Sequence, residues 1–214
     1  MHFSKLSFDE YMGRVAALIG NSMKYSKVLD ATSRFGYDKK RLKEGESLYK
    51  EVLLVSQAQQ KAISEKLKVH NNRKQIHLLV RKNYMKILQI ARIVFNKNII
   101  VNKALQLNGP RMTNLDEWMN QVAMFGNRLL REKKWLDELG KFGISKEDIQ
   151  NLLFELDNLR SLSTLCEQSK LECKQYTSSK RSKLKVLQGW VSDYIKIAKI
   201  ALDENPELLQ QLNV

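Results

Sequence analysis

Residue i of this chain and residue i+107 share chemistry along most of its length, and twice 107 is the whole chain of 214 residues. Phe8-Asp9-Glu10-Tyr11-Met12 falls on Leu115-Asp116-Glu117-Trp118-Met119, and Val15-Ala16 falls on Val122-Ala123. Leu29-Asp30 matches Leu136-Asp137, Phe35-Gly36 matches Phe142-Gly143, and Ile90-Ala91-Arg92-Ile93 matches Ile197-Ala198-Lys199-Ile200. The register does not slip, although 56–80 against 163–187 matches poorly. Solenoid repeats run to roughly 20–50 residues, so a period this long marks a duplicated domain or half-domain. Whatever the chain folds into is built twice, from residues 1–107 and 108–214.

Each copy reads as helices. With 2 prolines and 9 glycines in the chain, turn signals are too sparse for an all-β fold. Cap chemistry recurs in register. Ser7-x-x-Glu10 is a capping box, with Asn114-x-x-Glu117 as its counterpart. Asp38 and Ser145 are N-caps of the next helix, each inside a hydrophobic staple (Tyr37 with Leu42, Ile144 with Ile149). Gly36 and Gly143 stand where the preceding helix must end in a left-handed residue. Asn98 and Asn205 cap the last short helix, and Pro206 takes a first position where a missing N–H costs nothing.

Apolar residues between these caps follow a helical period. Phe8, Met12, Val15, Ile19, Ser22 and Leu29 form one stripe, and Leu115, Met119, Val122, Phe125, Leu129 and Leu136 its partner. Helix breaks are expected near 32–37, 70–73 and 96–98, and again near 139–144, 177–181 and 203–205. The fold expected is all-α: an antiparallel helical bundle of two tandem, pseudo-twofold-related three-helix units, each with a short terminal helix. Whether the halves make one bundle or two packed together is left open by the pattern. Residues 56–66 turn polar and small, as a segment outside the core would.

The paired Phe-Gly-Tyr-Asp and Phe-Gly-Ile-Ser turns, and the ending Ile-Ala-Lys-Ile-Ala-Leu…Asn-Pro-Glu-Leu-Leu, carry a resemblance. On these the chain resembles a group of uncharacterised bacterial helical proteins built from two similar halves. The resemblance implies a bacterial origin and the same two-part fold, and brings no activity with it.

Catalytic constellations do not emerge from the residues. Asp9-Glu10 and Asp116-Glu117 diverge by about 100° as neighbours on a helix, and they lie in first turns, where negative charge complements the dipole. Cys166 and Cys173 lie seven residues apart on one helical face, about 10 Å along the axis, too far to close a disulfide. They continue the apolar stripe of Leu152, Leu156 and Leu159. His70 and His77 have the same spacing, too wide to share a metal, and no equivalents in the second copy, which carries Thr177 and Leu184. Trp118, Trp135 and Trp190 read mostly as packing residues. No catalytic residue, no metal and no cofactor is assigned. No apolar run of signal-peptide or membrane-span length occurs, so a cytoplasmic setting is expected and a membrane partner is not.

Charge separates the copies. Residues 1–107 carry 21 Lys/Arg against 8 Asp/Glu, a net +13, and residues 108–214 carry 16 against 15, a net +1. The excess is densest in Lys61, Lys66, Lys68, Arg73, Lys74, Arg81, Lys82, Lys86, Arg92, Lys97 and Lys103, which have only Glu65 among them. Spread over a helix end, a turn and the next helix, they would make a continuous basic stripe, the footprint of a phosphate-backbone binder. No aromatic residues interleave them for base stacking. Two functions follow: a non-enzymatic helical interaction or scaffold protein that binds a protein partner or itself, or a nucleic-acid-binding accessory protein using the basic first half.

Overall fold

The computed structural model describes residues 6–212, and the regular structure among them is helical. The helices are α1 Phe8–Lys24, α2 Ser26–Ser33, α3 Lys39–Val94, α4 Ile99–Leu105, α5 Leu115–Arg131, α6 Lys133–Gly140, α7 Lys146–Ala201 and α8 Pro206–Gln211. Both ends of α1, α2 and α3 recur one repeat period later in α5, α6 and α7, and α8 begins one period after α4.

The caps form as their chemistry dictates. Ser7 and Glu10 close the capping box on α1, with the Ser7 N–H donating to Glu10 Oε2 at 2.9 Å. Asn114 Oδ1 accepts from the amides of Asp116 and Glu117 at 2.9 and 3.3 Å. Asp38 Oδ1 accepts from the Arg41 amide at 2.8 Å. Ser145 forms a second reciprocal box with Asp148, whose carboxyl the Ser145 amide and hydroxyl hold below the usual carboxylate range. Gly36 and Gly143 take φ of 84° and 77°, the left-handed region that glycine enters without a Cβ clash. Asn98 caps α4 through the Val101 amide at 3.1 Å, whereas Asn205 holds the cap position of α8 without a side-chain bond.

Two expectations are corrected. No turn interrupts α3 at 70–73 or α7 at 177–181; each helix runs unbroken for 56 residues. His70-Asn71-Asn72-Arg73 lacks glycine and proline, and two asparagines cost a helix only about 1 kcal/mol together. Buried Ala62 and Val80 stand five full turns apart, so the packed face keeps its phase through the segment. Conversely, the stripe drawn from Phe8 to Leu29 is broken at Tyr25, and its partner at Glu132. Both residues leave the helical region, with φ/ψ of −92°/106° and −106°/91°. Ser22 and Val28, both fully buried, would face different ways on one straight helix, being neither three, four nor seven positions apart. The break turns both inward.

The chain packs as two compact units, residues 1–63 with 172–214, and residues 64–171. These bounds differ from those of the sequence repeats, because each long helix gives its first part to one unit and its second part to the other.

In the first unit, Tyr11, Val15, Leu18 and Ile19 of α1 pack with Val28, Leu42, Val52, and with Leu187, Trp190, Val191 and Tyr194 of α7. The segments of α3 and α7 run antiparallel there. Gly45 lies against the Trp190 ring, where an added Cβ would come within 2.4 Å of ring carbons. Lys183 pairs with Glu51, and Gln59 donates to Thr177 at 2.9 Å. Buried Ser22 accepts from the Tyr194 hydroxyl at 2.5 Å and donates to the Leu18 carbonyl at 2.6 Å, so its polar oxygen is satisfied. Burial pushes the pKa of the Tyr11 hydroxyl up to about 12. Of the polar stretch 56–66, Ser56 and Ala62 are buried and the rest is exposed or half-buried.

In the second unit, Val80, Tyr84, Ile87 and Leu88 of α3 pack with Val101 and Leu105 of α4, with Trp118, Val122, Phe125 and Leu129 of α5, and with Ile149, Leu152 and Leu156 of α7. Tyr84 meets both Trp118 and Phe125 edge-on, at 6.2 and 5.4 Å between centroids. Asn83 donates across to Glu155 at 2.9 Å.

Candidate functional site

The basic residues do not form one stripe. Nine of the eleven lie on the single helix α3; Lys97 is in the turn after it and Lys103 on α4. At about 100° per residue they fall in several rows around α3. Lys68, Lys82 and Lys86 share one exposed sector, and Lys61, also exposed, belongs to the first unit while the others belong to the second. Lys74, Arg81 and Arg92 lie on another side, and Lys66 and Arg73 turn toward the packed face and are half-buried. Arg92 is occupied structurally, its Nε donating to the Leu107 carbonyl at 2.6 Å, and Lys68 pairs with Glu65 at 2.8 Å.

The charge asymmetry of the two sequence halves also dissolves in the packing. Residues 1–63 with 172–214 carry 18 Lys/Arg against 12 Asp/Glu, a net +6, and residues 64–171 carry 19 against 11, a net +8. Val80, Tyr84 and Leu88 of α3 share a core with Ile149, Leu152 and Leu156 of α7, the segment that carries Asp148 and Glu155. Lys86 is close enough to contribute to the lowered Asp148 pKa.

Apolar exposure, in contrast, is uneven. Of the sixteen large hydrophobic side chains exposed among the described residues, eleven lie in the second unit. Three of them cluster near α4: Ile93, Ile99 and Ile100 are 70%, 71% and 79% exposed. Ile99 and Ile100 line an open groove of about 910 Å³ between the start of α4 and α6, with Val94, Phe95 and half-buried Trp135. Lys97, Lys134, Asp137 and Glu138 border it with charges of both signs. The Asn98 cap explains why α4 starts where it does; it gives no reason for two isoleucines in the first turn to face outward. One repeat period later stand Pro206 and Glu207, so the apolar character belongs to one sequence half only. That difference was the signal available in the sequence.

Cys166 and Cys173 are buried free thiols on α7. Trp118 and Trp190 are buried. His70 is exposed and His77 half-buried. Among the described residues no group of three His, Cys, Asp or Glu side chains is placed to hold a metal ion, and no helix is long and apolar enough to cross a membrane. No protein-family model, curated protein or solved structure matches the chain.

Proposed function

We propose that this chain is a non-enzymatic helical interaction protein, working in the cytoplasm, that docks a protein partner or a second copy of itself through the α4–α6 groove. The observation that carries the reading is the exposure of Ile99 and Ile100 beside Trp135, inside a rim of Lys97, Lys134, Asp137 and Glu138. An apolar centre with an aromatic anchor and a mixed polar rim is the anatomy of protein interfaces. We also read the scaffold as a pseudo-twofold duplication, of the kind found in the bacterial two-half proteins it resembles. Advancing the first unit by one repeat period, with wrap-around, yields the second to within a residue at each bound, which supports that reading.

Ile99→Glu with Ile100→Glu is the test. The pair places carboxylates where an interface would desolvate them, a cost of several kcal/mol. Wild-type protein is expected to self-associate in sedimentation velocity or to retain a partner at stoichiometric yield, and the double variant to lose this at least about 10-fold with an unchanged melting temperature. Equal association by both proteins would remove the groove from consideration.

A second reading, nucleic-acid binding, is favoured by the exposure of Lys68, Lys82 and Lys86 on one side of α3. It predicts that labelled RNA or DNA binds with a steep salt dependence, and that Lys82→Glu with Lys86→Glu abolishes binding. Binding that ignores this double substitution would rule out the lysine row.

A further inference from the structure

A second, more enclosed cleft of about 360 Å³ opens in the unit of residues 64–171. Its walls are His77, Arg81 and Met85 of α3, Arg111, Met112 and Thr113 of the connector, and Leu115 and Trp118 at the start of α5. No Asp or Glu lines it. Its lining combines the donors of His77, Arg81 and Arg111 with the apolar side chains of Met85, Met112, Leu115 and Trp118.

The positive charge here is uncompensated. Arg111 is fixed by hydrogen bonds from Nη1 to the Tyr84 hydroxyl at 2.8 Å and from Nη2 to the carbonyls of Gln106, Asn108 and Gly109 at 2.9, 2.9 and 3.1 Å. All four acceptors are neutral, and its buried Nε–H has no acceptor among the described residues. Arg81 makes no ion pair among the described residues. His77 sits edge-on to Trp118 at 4.9 Å between ring centroids. Its burial, then the charges of Arg81 and Arg73, hold it below the usual imidazole range.

These residues are not demanded by the fold. At the positions one repeat period away stand Leu184 for His77, Gln188 for Arg81 and Ser4 for Arg111. The unit of residues 64–171 has therefore gathered two guanidiniums and an imidazole around a cleft, at the electrostatic expense of placing like charges together.

We propose that this cleft binds a small organic anion, a carboxylate or phosphate monoester joined to a flat apolar body. The anionic head lies among Arg81, Arg111 and His77, and the body lies against Trp118 and the methionines. The Arg81 guanidinium suits both head groups because its N–H pairs match two oxygens at once, while Arg111, whose Nη2 hydrogens are committed to carbonyls, adds fixed positive charge. The volume lies at the small end of ligand sites, which run to roughly 300–1,000 Å³.

The test is a titration of the whole protein with phenyl phosphate, benzoate and neutral benzyl alcohol, followed by the NMR signals of the His77 ring and the Trp118 indole. Saturable shifts of both residues with at least one of the two anions, at least about 10-fold tighter than with benzyl alcohol, are expected, and the stronger anion identifies the head group. His77→Leu with Arg81→Gln, which installs the residues of the other copy, is expected to weaken that binding at least about 10-fold while the melting temperature holds. Absence of saturable shifts with both anions, equal binding of benzyl alcohol, or unchanged binding by a folded double variant would overturn the proposal. The wild-type titration decides the matter even if the variant fails to fold.

Discussion

Phe125→Ala is expected to lower the unfolding free energy by about 3–5 kcal/mol, the range for emptying a buried phenyl site. Phe125 is fully buried on α5, with its ring edge-on to Tyr84, in the core cluster of the second unit. Whole domains are stable by only about 5–15 kcal/mol, so the substitution removes a large share of what holds the unit together. Urea unfolding checks it: the midpoint should fall with little change in slope. Phe154→Ala is the control. That ring is 67% exposed on α7, and its loss should stay within about 0.5 kcal/mol. A loss at Phe125 no larger than the control would mean that the α5 face is not packed as described.

Asn72→Pro is expected to cost about 3 kcal/mol or more, because α3 runs through residue 72 without interruption. Proline there removes the amide that bonds back to the Lys68 carbonyl, and its ring collides with that same carbonyl. The substitution separates two structures of the segment. If His70-Asn71-Asn72-Arg73 formed a turn, proline would be accommodated at little cost. Asn72→Ala should instead be neutral or slightly stabilising in a continuous helix, by up to about 0.7 kcal/mol. A melting temperature for Asn72→Pro equal to wild type would restore the turn.

How much was legible follows from how local each determinant is. Ser7 with Glu10, Asp38, Asn98, Asn114 and the glycines at 36 and 143 act on amides within a few residues of themselves, so their roles could be read directly. The breaks at Tyr25 and Glu132 carry no such signal. Neither residue makes a side-chain cap bond, and the chain bends there so that Val28 and Leu139 can reach a core built from distant segments. The unbroken middles of α3 and α7 erred in the opposite direction: polar residues without glycine or proline resemble a turn in composition, yet continue a helix when both flanks hold it in phase. The candidate sites were only half visible. His77 and the basic residues stood out by lacking equivalents in the second copy, but which of them meet in space depended on packing.

The sequence alone determined that the chain is all-helical, where most helices begin, and that each start recurs one repeat period later, because caps and apolar period are short-range physics. Only the tertiary structure decided which pieces share a core. Each long helix carries two apolar faces in succession. For α3 the first finds its complement in α1 and the end of α7, and the second in α5 and the start of α7. Burial is non-directional and indifferent to chain order, so the faces pair across the two sequence halves as well as within them. For the same reason the +13 and +1 halves of the sequence become units of +6 and +8.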